Sequence, residues 1–153
     1  MADLCLDDVA AAAFSVLNVA SMTALLAGGW HDSTPKNISY PFGEFSLSDD
    51  ATQSGLGTKP GQGLLSVVSL RLSVFSKDSD TKRGMKEAHD AMKEAIRLLS
   101  VTEALRSALA SSGYRVAGTE PFYDGSQSVP GSVVAGESVN ELAGNFRLYL
   151  EEV

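Results

Sequence analysis

Two histidines, one cysteine and a few acidic pairs are the residues of this sequence whose side chains could do chemistry. His31 and His89 lack the close spacing of a metal-binding histidine pair. His31 follows Trp30 in a predicted loop, and His89 borders the apolar face of a predicted helix, so a structural role is favoured for both. Cys5 has no second cysteine to pair with, which favours an inert thiol and a reducing, intracellular origin.

A glycine-rich segment and two acidic pairs are incomplete as binding motifs. The segment Gly55-Leu-Gly-Thr-Lys-Pro-Gly61 superficially looks like a phosphate-binding loop. A true loop of that kind has Ser or Thr after its lysine and leads into a helix, whereas here proline follows the lysine and a strand is predicted next. The pairs Asp49-Asp50 and Asp78/Asp80 lack the further oxygen ligands of a calcium loop. We therefore expect no catalytic residue, no cofactor and no metal ion.

Length, composition and charge restrict the class of protein. The chain has 153 residues, 44% hydrophobic and 20% charged, and a chain of this length buries about 70% of its unfolded surface. We expect one domain spanning residues 1–153. The net charge of −7 disfavours the lysine and arginine contacts by which nucleic-acid binders hold phosphate. The acidic N-terminus does not fit a signal peptide. Polar residues interrupt the apolar stretch from Val9 to Leu26, so no membrane span is expected.

Hydrophobic periodicity predicts an α+β fold. The predicted helices are Val9 to Ala27, Asp78 to Leu99 and a short one from Ser100 to Ser111. The predicted strands are Ile38 to Leu47, Leu64 to Phe75, Tyr114 to Phe122 and Asn145 to Glu151. Asp7 or Asp8 is the expected N-cap of the first helix and Gly28-Gly29 its end. The order α-β-β-α-(α)-β-β indicates a single antiparallel or mixed sheet of about four strands, with two main helices packed on it.

Two long Gly- and Ser-rich segments, residues 48–63 and 123–140, have no periodicity and are predicted to be flexible loops. Loops of this length inside a domain are usually functional. The residues in them that we single out as candidates for assembly contacts are Asp49, Asp50, Leu56, Lys59, Tyr123 and Asp124.

The whole arrangement resembles the tail-terminator proteins of long-tailed bacteriophages, also called tail-completion or tail-to-head joining proteins. The resemblance covers nearly the full chain and is one of pattern. The segments that carry it are Leu25-Leu-Ala-Gly-Gly29, Ser39-Tyr-Pro-Phe-Gly-Glu-Phe45, Val67-Val-Ser-Leu-Arg-Leu-Ser-Val-Phe75, the helix from Asp78 to Leu99, Tyr114-Arg-Val116, Glu120-Pro-Phe-Tyr-Asp124 and Phe146-Arg-Leu-Tyr-Leu150.

This resemblance implies a structural protein of the virion and no enzymatic activity. Such proteins form rings, typically of six subunits, that cap the tail tube and join the tail to the neck of the head. The implied partners are other copies of this chain, a tail tube protein and a head-completion or neck protein, at the head–tail junction of a virion assembled in the host cytoplasm. DNA would pass through the ring without specific binding, which an acidic channel favours by repelling phosphate.

Three other interpretations stay open at this point. The chain could be another neck component, such as a head-closure or adaptor protein. It could be a ferredoxin-like regulatory or ligand-binding domain of a cellular protein, which predicts a monomer or dimer with a defined apolar pocket. A small hydrolase using a carboxylate with His31 or His89 is the least favoured, since no motif supports it.

Overall fold

Four helices and eight strands are formed by the described residues of the computed structural model, which are 2–53, 65–78, 84–100, 102–109, 114–116 and 122–152. The helices are α1 (Ala2–Leu17), α2 (Ala20–Thr23), α3 (Gly84–Leu99) and α4 (Thr102–Leu109). The strands are β1 (Trp30–His31), β2 (Phe42–Gln53), β3 (Leu65–Ser76), β4 (Tyr114–Val116), β5 (Phe122–Val129), β6 (Val133–Val134), β7 (Glu137–Ser138) and β8 (Asn140–Glu152). The predicted α+β class is confirmed.

The main sheet has six strands in the order β1-β2-β3-β8-β4, with β5 also paired to β8. β1 runs parallel to β2, and the other pairs are antiparallel, so the sheet is mixed. β8 pairs with β3 from Asn140 to Glu151 on one side. On its other side, β5 covers Glu141–Arg147 and β4 covers Leu150–Glu152. β3 and β8 are therefore the two central strands, and β2, β4 and β5 pair with their outer edges.

One face of the sheet carries the core under the helices. Directly paired residues of antiparallel strands point to the same face, and alternate residues of β3 and β8 are apolar there. These buried side chains are Val68, Leu70, Leu72, Val74, Leu142, Phe146, Leu148 and Leu150. α3 contributes Ala88, Ala91, Met92, Ala95 and Leu99 to the same cluster. The apolar faces of β3 and α3 therefore belong to one core cluster.

The first helix differs from its prediction at both ends. α1 includes Asp7 and Asp8, so neither is an N-cap, and the helix ends at Leu17. Val19 is extended, with φ −122° and ψ 165°, and the short α2 follows it. The pattern of alanines continues through this break, which is why periodicity alone predicts one long helix.

The second strand is displaced toward the C-terminus relative to its prediction. Tyr40–Pro41 is a cis peptide bond, and β2 begins after it, at Phe42. β2 then continues to Gln53, so residues 48–53 of the first predicted loop are strand. They pair with β3 because that strand is equally long, and a bulge between Asp49 and Ala51 adjusts the register. The remainder of that predicted loop lies outside the described residues.

The second predicted loop is wrong over most of its length. Residues 122–129 form β5, β6 and β7 form a hairpin, and β8 begins at Asn140. The hairpin turns at Ala135 and Gly136, which both have positive φ, 51° and 81°. Two-residue turns of this kind match the twist of paired strands. The Gly- and Ser-rich composition therefore reflects strands with a polar edge and a tight turn.

The start of α3 is bound by a side chain six residues before it in the chain, Asp78. The Asp78 carboxylate accepts a hydrogen bond from the Gly84 backbone N–H at 2.9 Å, and the Asn140 side-chain amide donates to the same oxygen at 3.1 Å. Asp80 lies outside the described residues. Asp78 thus connects the start of α3 to the start of β8, which explains why the helix begins beside the sheet.

Candidate assembly surfaces

The face of the sheet opposite the core carries mainly polar side chains, and we call it the polar face. Its members alternate with the core residues along β2, β3 and β8. They include Ser46, Ser69, Arg71, Ser73, Asn145, Arg147 and Tyr149. Hydroxyl, amide and guanidinium groups on a broad sheet suit contact with water or a polar partner rather than burial in a core.

Glu141 forms the most buried charged contact of the polar face, with 8% of the residue exposed. Its carboxylate accepts hydrogen bonds from Ser132 at 2.9 Å and Ser73 at 3.2 Å. The Arg71 guanidinium donates to it at 3.4 Å. A buried carboxylate is stable when such donors satisfy it. The contact connects the chain segment before the β6–β7 hairpin to β3 in the centre of the sheet.

The predicted assembly candidates Tyr123 and Asp124 are neighbours that point to opposite faces of the sheet. The Tyr123 ring lies 5.1 Å from that of Phe146 on the core side, and its hydroxyl donates to Ser126 at 2.8 Å. Asp124 forms an ion pair with Arg147 at 3.4 Å on the polar face. Only Asp124 therefore belongs to a polar surface. Tyr123 is partly buried and supports the core.

The β6–β7 hairpin is fixed to one end of the sheet. Val134 is buried against Phe42 and Phe75, whose rings stack at 5.0 Å. Lys77 pairs with Glu137 and lies 4.7 Å from the centre of the Tyr40 ring. Val133 points outward with 61% of its surface exposed. The hairpin is thus held against the sheet and exposes one apolar side chain, that of Val133.

A second surface is a shallow cleft of about 490 Å³ between α1 and the edge of β2, which we call the α1–β2 cleft. Its apolar walls are Ala10, Ala11, Phe14, Trp30 and Phe45, and its rim carries His31 and Asp32. Phe14 contacts Phe45 with ring centres 6.4 Å apart and is 40% exposed.

Two further features of the α1–β2 cleft are unpaired polar groups. The indole N–H of Trp30 is buried without an acceptor among the described residues. β1 pairs only with Gly43 and Glu44 of β2. In the described part of the chain, no strand pairs with the outer edge of Phe45 to Leu47. The cleft therefore combines an apolar wall with a strand edge that has no partner in the described part of the chain.

The remaining predicted candidates are only partly located by the structure. Asp49 and Asp50 belong to β2, Asp49 opposite Val68 and Asp50 at the bulge. Leu56 and Lys59 lie outside the described residues. The sequence prediction missed Arg71 and Glu141 because their pairing joins distant segments, and it missed Phe14 because its exposure depends on the placement of α1. The single aromatic residue of an alanine-rich helix was the available signal.

The side chains that could bind a metal ion or take part in catalysis lie apart from one another in the described structure. Within those residues, no group of three or more His, Cys, Asp or Glu side chains could hold a metal ion. His31 Nε2 lies 2.6 Å from the Gly28 carbonyl oxygen, and His89 is exposed on α3. Among the helices that the structure describes, none has the length and apolar character to cross a membrane.

No protein-family model and no curated protein matches this sequence. A similar fold occurs in a solved structure described as the virion of a native gene transfer agent particle. The TM-score is 0.67 at 14% sequence identity, and the alignment covers 94% of this chain and 93% of that chain. At this identity, the similarity establishes a shared fold over nearly the whole length of both chains.

Proposed function

We propose that this protein is a non-enzymatic structural component of a phage-like virion, acting as a tail terminator. In this role, six copies form a ring that caps the tail tube and joins the tail to the neck of the head. The observation that carries the proposal is the fold shared with a chain of a gene transfer agent virion, aligned over 94% of this protein. The element pattern that resembles tail terminators supports the same role independently.

The α1–β2 cleft supports self-association. A closed ring requires heterologous contacts, in which one surface of a subunit meets a different surface of the next. An apolar cleft beside an unpaired strand edge provides one such surface, since open edges and exposed aromatic residues favour protein contacts. The complementary surface has to be a different part of the neighbouring subunit.

The polar face supports a channel that DNA passes without being held. Arg71 and Arg147 are cations of this face, and each lies 3.4 Å from a carboxylate, Glu141 and Asp124 respectively. Paired guanidinium groups attract phosphate less than free ones, and the net charge of −7 adds repulsion. We propose that this face lines the channel, with paired charges and hydroxyl groups in place of the acidic lining expected from the sequence.

The other proposed partners follow from the position of such a ring. One ring face would bind the tail tube protein and the other a head-completion or neck protein, at the head–tail junction of a virion assembled in the host cytoplasm. No membrane contact is part of this role.

Light scattering across concentration, combined with negative-stain images of the same sample, tests the proposal. We expect a mass of six subunits and rings with an open centre. A mass of one subunit at every concentration, including after mixing with tail tubes that lack their terminal ring, would contradict it.

A further inference from the structure

The α1–β2 cleft has the properties of a docking site for an extended peptide. Phe14 leaves apolar surface exposed, and the edge of Phe45 to Leu47 can pair with one more backbone. Extended peptides that add to a sheet edge supply backbone carbonyls and place alternate side chains in a neighbouring pocket. The cleft therefore selects an extended segment with an apolar anchor.

Residues 54–64 of this chain have the matching chemistry. The sequence Ser-Gly-Leu-Gly-Thr-Lys contains Leu56 between two glycines, whose missing side chains permit close approach to a sheet edge. Lys59 follows three residues later and has the charge opposite to that of Asp32 at the rim of the cleft. An apolar anchor and a complementary charge are thus present in one short segment.

The length of the chain prevents this segment from reaching the cleft of its own subunit. From Phe45 to Gln53, β2 extends about 25 Å at the usual rise of a strand. Leu56 is the third residue after Gln53, and three residues span at most about 11 Å. Trp30 lies opposite Gly43, still farther along β2. A contact between Leu56 and the cleft must therefore involve two copies.

We infer that the segment around Leu56 of one subunit docks in the α1–β2 cleft of the next, with Leu56 against Phe14 and its backbone paired with the edge of Phe45 to Leu47. This inference deepens the proposed ring function, because it supplies the second surface of a heterologous contact. It makes the segment and the cleft the two halves of the subunit interface.

Mixed disulfide formation tests the contact directly. In a Cys5→Ser background, a tagged Leu56→Cys chain is mixed with an untagged Ala11→Cys chain and oxidised. We expect a tagged–untagged disulfide in the mixture. The matched control replaces Ala11→Cys with Lys93→Cys, an exposed position on α3 outside the cleft. Equal yields from the two mixtures would overturn the inference.

Fluorescence of Trp30, the single tryptophan of the chain, tests the cleft without requiring a ring. A Leu56→Ser full-length chain is titrated with a peptide of residues 54–64. We expect a saturable change in emission, and binding weaker by roughly tenfold when the peptide carries Leu56→Ser or the chain carries Phe14→Ser, since a leucine contact is lost. Circular dichroism checks that Phe14→Ser keeps the fold. An absent response, or equal binding of both peptides, would overturn the inference.

The two proposals fail separately. Rings that form equally well with Leu56→Ser, without the mixed disulfide, would contradict the docking contact and leave the terminator function intact. A specific disulfide and saturable peptide binding in a protein that forms only open chains or dimers would support the contact and contradict the hexameric ring.

Discussion

The two faces of the main sheet are built from the same strands but serve different purposes. On the core face, Leu70 is 1% exposed and lies between Leu47 of β2 and Phe146 of β8. On the polar face, its neighbour Arg71 has half of its side chain exposed and pairs with Glu141. Because successive residues of a strand point to opposite faces, residues that stabilise the core alternate with residues that form the surface. Changes on the core face should affect folding, whereas most changes on the polar face should affect contacts.

The largest expected difference between the faces comes from placing a carboxylate on each. Leu70→Asp removes a buried leucine and buries an unpaired charge, so we expect a loss of more than about 4 kcal/mol, a large part of the roughly 5–15 kcal/mol that stabilises a domain. Urea unfolding followed by circular dichroism measures it. The control is Ser46→Asp, an exposed position beside Arg71 on the polar face, for which we expect a change within about 0.5 kcal/mol. Similar losses for both would show that the faces are not distinct.

A smaller difference is expected within the acidic residues near the hairpin. Glu141→Ala leaves the buried hydroxyl of Ser73 without its partner, which should lower the free energy of unfolding by about 1–3 kcal/mol. Replacing Glu137, the exposed partner of Lys77, with alanine should lower the free energy of unfolding by less than about 1 kcal/mol. Denaturant unfolding of both variants compares them. An equal loss of stability in the two variants would mean that Glu141 contributes no more to the fold than an exposed acidic residue.

The smallest effect concerns an ion pair on α3, outside both faces. Hydrogen bonding from Arg97 lowers the pKa of Glu94 below its ordinary value of 4.5, against the opposing effect of desolvation. A lowered carboxylate pKa contributes stability at pH values above the unfolded pKa, and that contribution is lost as the pH falls through the folded pKa. In Arg97→Gln, the pKa of Glu94 should rise toward 4.5. This variant should therefore be less stable than the parent protein at pH 7, and the difference should vanish in acid.

NMR titration of the Glu94 carboxyl carbon checks this prediction, with unfolding measured at several pH values. Lys86→Gln, which removes the partner of Asp90 on the same helix, is the control, because it should leave the pKa of Glu94 unchanged. A pKa of Glu94 that stays low in Arg97→Gln would assign the shift to another group, for which Ser21 is the candidate donor.

The parts of the fold that the sequence predicted well are those with strong local periodicity. β3 lies within one residue of its predicted bounds and α3 ends at its predicted residue, Leu99, since alternating or helical patterns are set by neighbouring residues. The fold class follows from the order of these elements.

The failures in the strand regions share one cause, which is pairing between distant segments. Residues 123–140 have a loop-like composition, yet β5 is ordered by its pairing with β8. The last residues of β2 are strand because β3 lies opposite them. Of the candidate site residues, Asp124 was placed on a polar surface, Tyr123 was placed against the core, and the surfaces around Glu141 and Phe14 were not anticipated.

The sequence by itself therefore determined the type and apolar face of its strongly periodic elements, such as β3 and α3, and the acidic net charge, because each depends only on residue type and spacing. Tertiary structure alone decided which strands adjoin, where the sheet edge stays open and which charges meet. Those properties depend on contacts between residues far apart in the chain, such as Arg71 with Glu141 and Phe14 with Phe45. Composition and periodicity contain no record of such contacts.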